Sequence, residues 1–102
     1  MADIMRVRVA LIKRILEGDG RAPTTQRRAA FNNSRVAEPV GTLVDKVAKC
    51  SHKLTDGDIA AAKASGHSED QIFELVVCAA VGQASRQYDA ALDALRAARE
   101  KG

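Results

Sequence analysis

A chain of 102 residues with 46% apolar residues, 28% charged residues and a net charge of +3 can build one small core. Its longest unbroken apolar run, Leu75 to Val81, is too short to span a bilayer, and Cys50 and Cys78 make neither a disulfide framework nor a zinc pattern. Aromatics are limited to Phe31, Phe73 and Tyr88, so the core must come from Ala, Val, Leu and Ile, which favours close-packed helices over a sandwich or barrel.

The first predicted element is a helix of roughly residues 4–17, capped by Asp3 and closed by Gly18. Ile4, Val7, Leu11 and Ile15 form one stripe, and Met5, Val9, Ile12 and Leu16 form the adjacent one. Gly18, Gly20 and Pro23 then mark a connector, followed by a short helix of about residues 25–32 that ends in the turn-forming Asn32-Asn33-Ser34. Pro39 suits the first turn of a third helix, whose inner face is Val40, Leu43, Val44, Val47 and Ala48.

Two sharper boundaries come next. Thr55, with Asp56 and Asp58 behind it, reads as a helix cap with carboxylates at the positive helix end. The Ala-rich helix that follows stops at Gly66, which takes the left-handed conformation without steric cost. Ser68-Glu69-Asp70-Gln71 matches a capping box and launches the longest helix. From Ile72 to Val81 that helix is apolar nearly all round, the mark of a segment central to a core or an interface. Gly82 and Ser85 are places for a bend. Beyond them Tyr88, Ala91, Leu92, Leu95 and Ala98 carry an amphipathic stripe, and Arg96, Arg99 and Lys101 complement the negative helix end.

Charge is uneven. Residues 1–35 hold eight Arg or Lys against Asp3, Glu17 and Asp19. Such a leader can meet phosphates or an acidic partner, but no aromatics interleave with the cations, so a solvated helix face is expected and nucleic acid is not. No small-residue cleavage site follows the first apolar run, so no secretory leader is expected, and the cytoplasm is the default compartment.

Among chemistry-bearing residues, Cys50 with His52 comes first, because a neighbouring histidine can activate a thiol. Residues i and i+2 diverge on a helix, so the pair cooperates only if the helix ends near Ser51. Cys78, inside the apolar run, reads as a small buried hydrophobe. Asp56 and Asp58 could act as acid and base, but the first turn of a helix favours carboxylates whatever the chemistry. His67 is expected exposed in a turn, and His52 with His67 makes no convincing metal set; no metal and no cofactor are expected. Gln83 and Arg86 continue the inner stripe of residues 72, 75, 76 and 79, so polar groups point where apolar ones belong. They are candidate binding residues, for a pocket or a subunit interface, unless a bend at Gly82 turns them to solvent.

Leu54-Thr55-Asp56-Gly57-Asp58-Ile59, then Ala64-Ser65-Gly66, then Ser68-Glu69-Asp70-Gln71-Ile72-Phe73-Glu74 resembles the alkylhydroperoxidase-like, or carboxymuconolactone decarboxylase-like, family, over about residues 40–95. The resemblance implies an all-α fold, with basic N-terminal helices in 1–35 and a family-like core in 38–100 of a single domain. It also implies a homo-oligomer, a trimer or hexamer, with a small-molecule ligand within its scope. Redox members of that family carry Cys-x-x-Cys-x-x-x-His before the glycine stop, where one thiolate attacks peroxide and its neighbour resolves the sulfenic acid. Counted back from Gly66, those positions hold Ser51, Leu54 and Asp58; one residue earlier they hold Cys50, Lys53 and Gly57. Glu38 lies near the family's upstream glutamate but out of register. A non-redox relative is therefore expected. The alternatives are a one-cysteine peroxidase using Cys50, with His52 and Asp58 as its other candidate catalytic residues, another enzyme activity such as lactone decarboxylation, or a binding module acting through residues 1–35.

Overall fold

The computed structural model describes residues 2–101, and the side chains of residues 6–100. The expected contributions of Asp3, Ile4, Met5 and Lys101 lie outside the described side chains. Five helices follow one another: α1 (Ala2–Glu17), α2 (Thr24–Phe31), α3 (Val40–Lys49), α4 (Asp56–Ala64) and α5 (Glu69–Lys101). A single 3₁₀ turn, Ser51–Lys53, joins α3 to α4. Among the described residues there is no strand, and no helix is long and apolar enough to cross a membrane.

The spine is α5. Its 33 residues span about 50 Å, most of the 54 Å long axis of a molecule only 29 by 19 Å across, since a helix rises about 1.5 Å per residue. Its first half carries the core: Ile72, Leu75, Cys78 and Ala79 are buried against Leu43, Val44 and Val40 of α3 and Ala30 of α2. The helix stays continuous through Gly82 and Ser85. Gly82 has a different task from the expected bend. A Cβ there would overlap the Phe31 carbonyl oxygen, so glycine alone lets the end of α2 lie directly on α5.

The start and stop signals act as the residues suggest. Ser68 Oγ accepts from Gln71 N at 3.1 Å while Gln71 Oε1 accepts from Ser68 N at 2.9 Å, closing the capping box. Thr55 and Asp58 form a second such box at α4. Gly66 takes φ +103° and ends α4. Pro39 stands one residue before α3 rather than inside its first turn. His67 is half-buried rather than exposed, its Nδ1 3.0 Å from Ser65 Oγ.

Two polar devices pin the connector between α1 and α2. The Glu74 carboxylate accepts from Arg21 N and Ala22 N at 2.8 and 2.6 Å, in a space that stays open because Gly20 has no side chain. Arg27 is buried, 7% exposed, and donates to the carbonyls of Ile15, Gly18 and Ala22. Those carbonyls include the last turn of α1, so a guanidinium fork helps to close a helix end.

Candidate functional site

Cys50 lies where α3 ends. Its backbone leaves the helical region (φ −154°, ψ 63°), its N–H still bonds to Lys46 O at 2.8 Å, and its thiol is free and half-buried. His52 follows in the 3₁₀ turn and is exposed, and among the described residues no hydrogen bond links its ring to Cys50. The helix does end where cooperation of the pair required it to. A thiolate at Cys50 would face the negative end of α3, the opposite of the helix N-terminus that supports reactive cysteines elsewhere.

Asp58 is engaged on every side. Its carboxylate accepts from Lys46 Nζ at 2.9 and 3.1 Å, from Thr55 N at 2.9 Å and from Thr55 Oγ1 at 3.1 Å. The Lys46 ammonium, then the Thr55 backbone N–H, hold this carboxyl below its ordinary range. One side chain therefore caps α4 and ties it to the last turn of α3.

Cys78 is buried on α5, and its Sγ lies 3.7 Å from the Ile15 carbonyl of α1. With Arg27, Glu74, Phe73 and Val77 it lines a cleft of about 200 Å³. Burial pushes the Cys78 thiol up; Arg27 opposes that shift and Glu74 adds to it. Cys78 and Cys50 are both free thiols, the first turned toward α1 and the second at the end of α3.

Gln83 and Arg86 do stay on the inner side of α5, and the structure supplies their partners. Arg86 donates through Nη1 to Phe31 O and through Nη2 to Gln83 Oε1, the latter at 3.0 Å. Arg86, held by Gln83, thus receives the C-terminal carbonyl that Gly82 admits.

The feature that residue-by-residue reasoning missed lies between α1 and α5. An open groove of about 520 Å³ runs there, walled by Val7, Leu11 and Ile12 on one side and Val81, Ala84 and Tyr88 on the other. Its lining is almost wholly apolar. At its rim Arg8 stacks 5.1 Å above the Tyr88 ring and makes a two-pronged contact with Asp89 at 2.8 and 2.9 Å, with Ser85 accepting alongside. The signal was present in the sequence as the all-round apolar character of residues 72–81 and the stripe beyond it. What the sequence does not reveal is that α1 would cover only part of that surface.

Half of the basic leader's eight cations have partners inside the chain. Arg8 meets Asp89, Arg21 lies 3.7 Å from Asp70, Arg28 meets Glu17 at 3.1 Å, and Arg27 is buried. Among the described residues no group of three or more His, Cys, Asp or Glu is placed to hold a metal ion. No protein-family model matches this chain, and no curated protein and no solved structure matches it.

Proposed function

We propose that this chain is a non-redox relative of the alkylhydroperoxidase-like proteins, a cytoplasmic homo-oligomer that acts by binding through its apolar groove rather than by thiol chemistry. The motif run from Leu54 to Glu74 supports the relationship. The observation that carries the functional half is the separate fate of the two sulfurs. Cys78 is sequestered against the Ile15 carbonyl with its thiol pushed up, while Cys50 stands at the carbonyl end of α3 with an exposed, unengaged His52. A dithiol relay needs one sulfur poised as thiolate and a second within bonding reach of it. Neither condition finds support here.

The one-cysteine alternative rests on Cys50 alone, and peroxide consumption decides between the two. With hydrogen peroxide or an organic hydroperoxide and excess dithiol reductant, the wild-type chain is expected to consume peroxide no faster than Cys50→Ser. Turnover that disappears in Cys50→Ser would overturn the proposal in favour of a thiol peroxidase. The third reading, a binding module acting through residues 1–35, loses weight because four of its eight cations already have partners within the chain.

A further inference from the structure

The two halves of α1 are held to the rest of the chain in unequal ways. The second half is packed: Leu16 is buried, Ile12 and Ile15 rest against the core, and Arg27 donates to the carbonyls of Ile15 and Gly18. The first half is not. Among residues 6–11, Arg6, Val7, Val9, Ala10 and Leu11 are all exposed, and Arg8 alone is partly covered. That single side chain reaches α5 at three positions within about one turn. Its guanidinium grips Asp89 at 2.8 and 2.9 Å, donates to Ser85 Oγ and lies 5.1 Å from the centre of the Tyr88 ring. Arg8, Ser85 and Tyr88 all line the groove, and Val7 and Leu11 of its α1 wall stand one and three positions from Arg8. The wall is therefore where Arg8 holds it.

We propose that the Arg8 contact is a salt-sensitive latch that regulates the groove, an inference that rests on the reading of that groove as the binding site. Closed, the latch keeps two apolar walls facing each other; released, it lets residues 6–11 leave α5 while residues 12–17 stay docked. A helix of 16 residues is marginal on its own, so turns that bury little persist only through what their side chains grip. Apolar burial does not duplicate the grip, since Val7 and Leu11 are 67% and 48% exposed. The grip also stands at the edge of solvent: the Arg8 and Asp89 side chains are 23% and 58% exposed, so dissolved ions screen it. The buried contacts of Leu16 and Arg27 are screened far less, which confines the response to salt to the first half of α1.

Two measurements on the full chain test it, each with wild type, Asp89→Asn and a control, Asp93→Asn, which removes the exposed pair with Arg96 on the same helix. The first is residue-resolved hydrogen exchange at about 20 mM and about 500 mM sodium chloride, between which the screening length falls from roughly 20 Å to roughly 4 Å. At low salt the amides of residues 8–12 are expected to exchange about threefold or more faster in Asp89→Asn than in wild type and the control. High salt is expected to shrink that difference by speeding the wild type, while residues 75–82 stay protected throughout. The second measurement is the binding of Nile red, a neutral apolar dye whose own charge cannot engage Arg8. Wild type and the control are expected to bind it at low salt, and Asp89→Asn about threefold or more weakly. Exchange in Asp89→Asn equal to wild type, or a difference that salt leaves unchanged, would overturn the latch. Dye binding equal in wild type and Asp89→Asn would overturn the regulation and leave the groove as a binding site. Exchange as expected with no dye bound by the wild type would leave the motion of α1 standing and count against the groove reading itself.

Discussion

On one side of α5, Ile72, Leu75, Ala79 and Gly82 are buried beneath α2 and α3; on the other, Phe73, Ala80, Ala84 and Leu95 face outward. Hydrophobicity does not separate the two sides, since each carries large and small apolar residues at helical spacing. What separates them is polar bookkeeping at the edges. The inner side ends in Arg86, which donates to the Phe31 carbonyl and to Gln83 Oε1 and lets α2 terminate against α5. Along the outer side, Arg8 joins Asp89 and Ser85 at one edge and admits α1. On the inner side the neighbouring helix also has its end carbonyl bonded, and on the outer side the polar link is made by the Arg8 side chain.

The strongest way to break this comparison is to enlarge two small residues that stand only about 3 Å apart along the helix, by the rise of about 1.5 Å per residue. Gly82→Val is expected to cost about 4 kcal/mol or to prevent folding, because the new side chain meets the Phe31 backbone, which α2 cannot move aside. Ala84→Val, two residues later and exposed, is expected to change monomer stability by less than about 0.5 kcal/mol. Denaturant unfolding of the two variants, at concentrations low enough to exclude association, reads the contrast directly. Equal losses would mean that the inner contact is looser than described.

The next effect concerns the buried cation. Arg27→Met keeps the apolar stem of the side chain and removes the fork that serves the Ile15, Gly18 and Ala22 carbonyls. A loss of about 2 kcal/mol is expected from leaving those acceptors short of donors. The same substitution in an exposed arginine such as Arg96 is expected to leave the unfolding midpoint within error. A midpoint for Arg27→Met equal to wild type would show that water replaces the guanidinium without cost.

These cases also mark how far the sequence could be read. The Ser68–Gln71 capping box, the Thr55 cap, the Gly66 stop, the buried face of α3 and the long last helix follow from local chemistry, and local chemistry is visible in a single chain; that Asp58 returns the bond to Thr55 is the structure's addition. Gly82 was noticed as a bend because a lone glycine in a helix has that meaning locally; its real neighbour, Phe31, lies 51 positions away. Glu74 and Arg27 carry no local signal for the same reason. A glutamate and an arginine on helices are ordinary surface residues until the α1–α2 connector is folded over them. Of the candidate site, the sequence offers the end of α3 near Cys50 only as a condition, and the inward placement of Gln83 and Arg86 as one of two open readings. The groove is not legible, because periodicity marks a face as apolar without saying how much of it a short neighbouring helix will cover.

The smallest expected effect is on pH dependence, and it sharpens the distinction between a chemical and a structural carboxylate at Asp58. Lys46 and Thr55 hold its folded-state carboxyl below the ordinary range, so the unfolded chain takes up this proton at higher pH than the folded one. The stabilisation is therefore complete above the ordinary aspartate value of about 4 and drains away as pH falls through the lowered folded value. Asp58→Asn cannot show that loss. Thermal midpoints of wild type and Asp58→Asn, followed from neutrality to strongly acidic buffer, are expected to differ most at neutral pH and to converge on acidification. Glu69 and Asp89 are also held low, by Lys63 and Arg8, but they are present in both proteins and cancel in the difference. A gap that stays constant with pH would remove the Lys46–Asp58 link from the forces joining α3 to α4, and would leave the Asp58 carboxylate free for some other role.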